Sequence, residues 1–282
     1  MGRIAIVTDS GANLPPEVRG QYDNIHVIPL LVIFGEQVFR DAVDLTALQF
    51  YQMLPQAQTP PTTSTPSMGD FLRLYRQLSQ EAEAIVSIHL AREFSATIEA
   101  AQEAGQMLGS TPVRVIDSRS VAMGQGFVVL EAARAAAAGE DVDQVVKRAQ
   151  ELIPRVHLLA TLDTLEYLRR GGRIGGAAAL LGAMLQIKPI IYVREGQVGV
   201  LEKPRTRAKA IRRMVELMAE RVGSKPVHAA VLHAHAPEEA EHLGGEVASH
   251  FNCQELYVTE ITPVLGTHGG PGALGLVFYS EP

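Results

Sequence analysis

The sequence predicts an α/β protein in two parts. An open, mainly parallel sheet with flanking helices comes first, followed by an α+β domain with a mixed or antiparallel sheet. Three observations carry this. Short apolar runs alternate with amphipathic helical stretches through the first half. In the second half, Pro189 to Arg194 and Val198 to Lys203 flank Glu195-Gly196-Gln197, which reads as a hairpin. At 282 residues about two domains are expected, and the change from strand-helix alternation to a hairpin-containing half places them at 1–154 and 155–282, with the boundary near Pro154.

The elements follow in order. Ile4 to Val7 is an apolar strand that runs into Thr8-Asp9-Ser10-Gly11. Leu14-Pro15-Pro16 opens a helix, since proline is tolerated in a first turn. His26 to Phe34 reads as one strand, and Gln56 to Ser67, rich in Pro, Thr and Ser, as loop. Phe71 to Glu81 is helical, with Phe71, Leu74, Tyr75 and Leu78 on one face. Strands over Ala84 to His89 and Val113 to Ile116 enclose an alanine-rich helix over Ser95 to Leu108, and helices over Ala122 to Ala138 and Val142 to Ile153 follow. Beyond the boundary, Leu158 to Leu162 is strand, Thr164 to Arg170 a short helix and Gly175 to Leu185 a small apolar helix. After the hairpin, Thr206 to Val222 is a helix with Ile211, Val215, Met218 and Val222 as its apolar stripe. Val227 to His233 is strand, Pro237 to Phe251 helix, and Glu255 to Ile261 and Ala273 to Tyr279 strands.

Composition narrows the function. A formal net charge of -6 argues against non-specific nucleic-acid binding, which needs a broad basic surface. No apolar run is long enough to predict a transmembrane helix, and the start enters a strand without a cleavage site, so neither membrane insertion nor a signal peptide is expected. Cys253 is the single cysteine, which suits a cytoplasmic protein.

Several polar sets stand where α/β sheets bind ligands. Asp9-Ser10 and Asp117-Ser118 each follow a parallel strand, the end at which open sheets hold ligands; capping the next helix is their other common role. Thr62 to Ser67 carries five hydroxyls in six residues, which suits an oxygen-rich ligand group or a plain turn. Ser95, with Thr97 beside it, is an N-cap candidate at a helix start that also suits an anion. His268 lies in Gly266 to Gly275. Gly270, Gly272 and Gly275 have the spacing of a dinucleotide fingerprint, but a strand and no helix follows, so the segment reads as a ligand-cradling loop. His233 and His235 would share a strand face without a third ligand, so no metal is expected. Arg169, Arg170 and Arg173 beside two glycines read as a helix end. Lys203, Arg205, Arg207 and Lys209 crowd a helix start, where cations are disfavoured; a solvated face and an acidic or phosphate-bearing partner both account for them. There is no nucleophile elbow, P-loop or zinc-protease helix motif.

Taken in order, Thr8-Asp9-Ser10, Thr63-Ser64-Thr65-Pro66-Ser67, Phe94-Ser95-Ala96-Thr97, Asp117-Ser118, Thr164 to Ile174, Ile187-Lys188-Pro189 and Gly266 to Gly275 resemble the DegV family, the fatty-acid-binding subunits of bacterial fatty acid kinase. The resemblance spans nearly the whole chain. It implies two α/β domains with one long-chain fatty acid between them, no other cofactor, and a carboxyl group held by the residues matching Thr63, Ser95 and His268. Asp9, Ser10, Thr97, Asp117 and Ser118 are candidates for a layer behind these. The resemblance further implies a kinase partner that phosphorylates the carboxylate to an acyl phosphate, with Arg205 engaged in that step and Arg173 the lesser candidate. The chain would then be a presenter and not the catalyst, in the cytoplasm and in phospholipid metabolism. It departs from the family pattern at Thr65, Ala96 and Gly269, where Gln, Gly and Thr are usual.

A buried acyl chain is physically reasonable: about fourteen methylenes leaving water gain on the order of 11 kcal/mol before binding costs. Ala177 to Leu181, Met184, Leu185, Ile187, Ile190 and Ile191 are candidates for the wall or for ordinary core. Two other functions stand beside this one: a lipid hydrolase using Ser95 and His268 with Asp9 as the acid, and a lipid sensor or transporter without a kinase.

Overall fold

A computed structural model describes residues 3–109, 111–183 and 186–281. The first half contains β1 (Ile4–Asp9), α1 (Pro16–Arg19), β2 (Ile25–Ile28), β3 (Leu31–Phe34), β4 (Gln37–Arg40), α2 (Ala47–Met53), β5 (Thr62–Ser64), α3 (Met68–Leu78), β6 (Ala84–His89), α4 (Thr97–Leu108), β7 (Val113–Asp117), α5 (Met123–Ala137) and α6 (Val142–Leu152). The second half contains β8 (His157–Thr161), α7 (Glu166–Arg170), β9 (Ile190–Arg194), β10 (Gln197–Glu202), α8 (Arg207–Val222), β11 (Val227–His233), α9 (Pro237–His250), β12 (Cys253–Glu260), α10 (Pro263–Gly269) and β13 (Leu274–Ser280).

The fold class agrees with the expectation. Strands β2-β1-β6-β7 form a parallel sheet. Strands β10-β9-β8-β13-β11-β12 form a mixed sheet, antiparallel except where β11 meets β12. Strands β1 and β6 are buried along their whole length, as befits parallel strands covered on both faces. Helices α3 and α4 cover one face of the first sheet through Phe71, Tyr75, Ala101 and Ala104. Helices α8 and α9 cover the outer face of the second through Met214, Met218, Leu243 and Val247. Helix α5 joins the two sheets: Phe127, Val128 and Leu130 share one core with Ile6 and Ile88 on one side and Val277 and Tyr279 on the other. A helix packed from both sides needs no polar face, and its sequence has almost none.

Four elements differ from expectation. The strand over His26 to Phe34 is cut at Pro29, which has no N–H for a ladder; β3 turns away into a separate antiparallel sheet, β4-β3-β5. Inside the expected loop over Gln56 to Ser67 lies β5, with Thr63 opposite Val32. The glycine-rich segment around His268 is helical in its first part, opened by Pro263 and ended at Gly270, whose φ is 73°; the expected loop is confined to residues 270–273, ahead of β13. On α8 the buried positions are Ala210, Met214, Leu217, Met218 and Val222, while Ile211 and Val215 are half-buried. Gly175–Ala183 forms a 3-10 helix, and Met184 and Leu185 lie outside the described residues. Among the described residues no helix is long and apolar enough to cross a membrane.

Far from the later site, a polar cluster ties the halves together. Arg134 on α5 pairs with Glu255 on β12 and donates to the Tyr22 hydroxyl at 3.1 Å. His228 on β11 lies between Glu255 and Glu281, each 2.8 Å from a ring nitrogen, and stacks on Tyr279. A neutral imidazole donates from one nitrogen only, so two carboxylates call for the imidazolium. Burial opposes that charge, but the two carboxylates outweigh it and raise the His228 pKa. This stabilisation is therefore fully present below the unfolded pKa and is lost as pH rises through the raised one. His228→Gln is expected to lower the unfolding free energy by about 1–2 kcal/mol at about pH 6 and by clearly less near pH 9, read by urea melts at both pH values. An equal loss at both would contradict the imidazolium.

Candidate functional site

A cavity of about 390 Å³ opens between the two halves. Its wall follows strand periodicity. On β8, Leu158 and Ala160 face it; on β9, Ile191 and Val193 do, while Leu159 and Ile190 point into the opposite core. Leu30, Leu90, Phe94 and Ala122 close it from the first half, and Val264 and Leu265 of α10 from the second. Of the wall residues named from sequence, Ile191 lines it. Ala177 and Leu180 are buried in the adjoining core, and Ile190 faces away.

The polar groups that reach this cavity include Thr63, Ser95, Arg173 and His268. Three segments far apart in sequence meet here. Strand β5 carries Thr63, whose Oγ1 lies 2.9 Å from Nε2 of His268 on α10. Ser95 precedes α4; its Oγ lies 2.8 Å from the Thr97 hydroxyl. It does not cap the helix: the N-cap is Ala96, which has no side chain to do so. Arg173 follows α7, with Nε donating to Phe94 O at 3.0 Å and Nη1 to Gly171 O at 2.6 Å.

The electrostatics of His268 fix the hydrogen-bond directions. Burial, and next the Arg173 guanidinium, depress its pKa to about 4, so the ring is neutral near pH 7. Nδ1 is buried with no partner. If Thr63 donated to Nε2, Nδ1 would carry an N–H buried without an acceptor. If Nε2–H donates to Thr63, only a lone pair is left unpaired, the lesser penalty. Thr63 then has its own O–H free. Likewise, when Thr97 donates to Ser95, the Ser95 O–H is free. With the remaining guanidinium N–H groups of Arg173, one end of an apolar cavity presents donors, and donors concentrated around a cation select an anionic acceptor.

The outlying candidates divide. Asp9 does not touch the cavity. Its Oδ1 accepts from Gly11 N at 2.9 Å, and its Oδ2 from Leu90 N at 3.1 Å and Gln125 Nε2 at 3.2 Å, with His89 Nδ1 at 2.8 Å. Ser10 Oγ accepts from Leu30 N at 3.0 Å. Because Leu30 and Leu90 line the cavity, both residues support its wall from behind. Asp117 accepts from Arg119 N at 2.8 Å, and Ser118 accepts from Ser120 N at 3.3 Å, so both shape a turn away from the cavity. Arg205 is exposed and outside the cavity lining. Its neighbour Arg207 binds Glu239 at 2.7 Å and Asp163 at 3.0 Å. His233 and His235 do not share a strand face: β11 ends at His233, and His235 turns to stack on Tyr51. Among the described residues no group of His, Cys, Asp or Glu could hold a metal.

Gly171 makes a close contact that the sequence conceals. Its motif reads as an ordinary helix end, yet a Cβ there would overlap Nδ1 of His268. This backbone packs against the buried Nδ1 edge of the imidazole, whose Nε2 edge meets Thr63.

Fold and cavity together define a class: an α/β protein of three sheets whose interior apolar cavity ends in a cluster of donors. The family profile described as "Uncharacterised protein, DegV family" matches residues 3–281, and the chain belongs to the DegV family. It is 40% identical over 280 residues to a DegV domain-containing protein of Streptomyces coelicolor, covering 99% of each. Among solved structures it is similar to a DegV family protein from Thermus thermophilus described for its fatty acid binding, with 33% identity and TM-score 0.93 over 99% of this chain and 100% of that one. It is also similar to DegV of Bacillus subtilis, described as a fatty acid binding protein, with 36% identity and TM-score 0.92 over 100% of both chains.

Gly171→Ala is expected to push the His268 ring from Thr63 and to destabilise the fold by about 1–3 kcal/mol. Urea unfolding and the imidazole ¹⁵N shifts report the two effects; an unmoved His268 signal would contradict the packing role.

Proposed function

We propose that this chain binds one long-chain fatty acid in the cavity, with the carboxylate held at Thr63, Ser95 and His268, the last acting through the Thr63 hydroxyl that it orients, and presents it to a fatty acid kinase. The observation that carries the reading is the donor cluster at one end of an otherwise apolar cavity. A carboxylate buried without donors is costly, and an acyl chain needs no partners but apolar wall. The cavity volume of about 390 Å³ lies within the range of small-ligand sites. The binding described for the Thermus and Bacillus relatives supports the same ligand class. Arg173 supplies a fixed positive charge beside the head group. The exposed Arg205, outside the network that occupies Arg207, is the contact offered to the kinase and its phosphates. The division near Pro154 gives the parallel and the small antiparallel sheet to one unit and the mixed sheet to the other, with the ligand between.

The weakly basic His268 suits binding more than hydrolysis. A triad would need a carboxylate on Nδ1, but Nδ1 faces Gly171 and Asp9 pairs with His89 instead. In this reading the protein does not alter the ligand itself, and no cofactor takes part.

Titration with hexadecanoate tests the site. Thr63→Val and Ser95→Ala, which each remove one hydrogen bond to the carboxylate, and His268→Ala, which releases the oriented Thr63 hydroxyl, are each expected to weaken binding by about five- to tenfold. Unchanged affinity in all three would remove the carboxylate assignment. Arg205→Glu is expected to leave this affinity intact and to depress kinase-dependent acyl phosphate formation by tenfold or so, about 1.4 kcal/mol. Parallel loss of both would place Arg205 at the cavity.

A further inference from the structure

Helix α10 belongs by sequence to the second half but is seated on the first. Thr262 N donates to Asn13 Oδ1 at 2.8 Å, and Val264 N donates to Asp41 Oδ1 at 2.9 Å. Gly266 packs so closely on α2 that a Cβ there would lie 2.7 Å from the Tyr51 hydroxyl. His268 then meets Thr63 at the far end of the same short helix. Asp41 is 1% exposed, and its own N–H donates to Leu30 O at 2.8 Å, which ties it to the cavity wall as well.

The carboxyl group of Asp41 is only half satisfied. Oδ1 holds Val264, whereas Oδ2 is buried with no partner, and so is Oγ1 of Thr262. Both residues line a separate small cavity of about 70 Å³ that Ser10 also borders. A buried carboxylate oxygen without a donor is where a proton is most readily gained, since the added O–H can turn to a neighbouring hydroxyl oxygen.

We propose that Asp41 is a positioning residue for the head-group site. Gain or loss of one proton on its carboxyl sets how firmly the helix carrying His268 is seated, and so how tightly the cavity holds a ligand carboxylate. This rests on the fatty acid reading given above. Ionised, Asp41 gives Val264 N–H a charge-assisted bond, roughly twice as strong as the neutral one. Affinity is therefore higher in the ionised state.

The surroundings place the change in an accessible window. Burial is the largest influence and raises the Asp41 pKa to about 6, against the lowering effect of the nearby Ser10 hydroxyl, the Val264 N–H and the nearby Thr262 hydroxyl; Asp9 on β1 adds a smaller upward push. The other charged or titratable groups nearby are Arg19 on α1 and Tyr51 on α2. Arg40 and Asp44, on either side of Asp41 in sequence, neutralise each other at 2.8 Å. Glu260 on β12 offers its backbone carbonyl to Asn13 at 3.3 Å. His268 titrates lower, at about 4, and so does not mask the change.

Wild type, Asp41→Asn and Asp41→Ala are compared from about pH 5 to about pH 7.5, by hexadecanoate affinity and by the imidazole ¹⁵N signals of ligand-free protein. Asn keeps the acceptor for Val264 and cannot ionise. The ratio of wild-type to Asn-variant affinity is expected to fall about fivefold on acidification, which cancels the ligand's own titration. The ligand-free His268 signal should move with a midpoint near 6 in wild type and stay still in the Asn variant. A constant ratio and a still wild-type signal would overturn the proton's role. The Ala variant is expected to bind about tenfold more weakly at every pH, and wild-type affinity in it would overturn the anchoring. If wild type binds no fatty acid at all, the ligand reading fails, while the ligand-free signal still decides the role of Asp41.

Discussion

The hydrogen bond between Thr63 and His268 joins residues 205 apart in sequence and is the point on which the site turns. One partner stands on a strand of the small antiparallel sheet, the other on a helix of the second half. Neither half has the site alone. The bond has a defined direction because the imidazole is kept neutral by burial and by Arg173, and because Nδ1 has nothing to donate to. Neutrality of one ring thus frees the hydroxyl of Thr63, and a free hydroxyl is what a carboxylate needs.

Everything around this bond serves to keep it in register. Asp9 gathers Gly11, Leu90 and Gln125 at the end of β1, and Ser10 holds Leu30, so the wall of the cavity is fixed from behind by buried, satisfied polar groups. Helix α5 fills the space between the sheets as a largely apolar wedge. At a distance, the His228, Glu255 and Arg134 cluster ties the same two halves. The cavity is held open by packing that is complete without it, which lets an apolar space persist inside a dense core.

Much of this was legible in the sequence. Buried strands such as Ala84–His89 and Val227–His233 read correctly because a continuous apolar run bounded by turn residues admits little else. Thr63, Ser95 and His268 could be singled out from the order of the motifs, and the structure brings them to one cavity. Local pattern failed where tertiary contact decides. Thr62–Ser64 has the composition of a turn and becomes a strand only because β3 lies beside it. Gly266 and Gly269 look like loop but stand in a helix, and the missing Cβ of Gly266 allows close packing on α2. Gly171 and Asp41 carry no signature, since their roles depend on distances across the fold.

The central claim is that the cavity holds a single fatty acid by its carboxylate. Native mass spectrometry of the purified protein, with lipid extraction of the same sample, tests it most directly. The expected result is one bound long-chain fatty acid per chain, lost together with the organic extract. A chain that is repeatedly empty, or that carries a nucleotide in its place, would contradict the account.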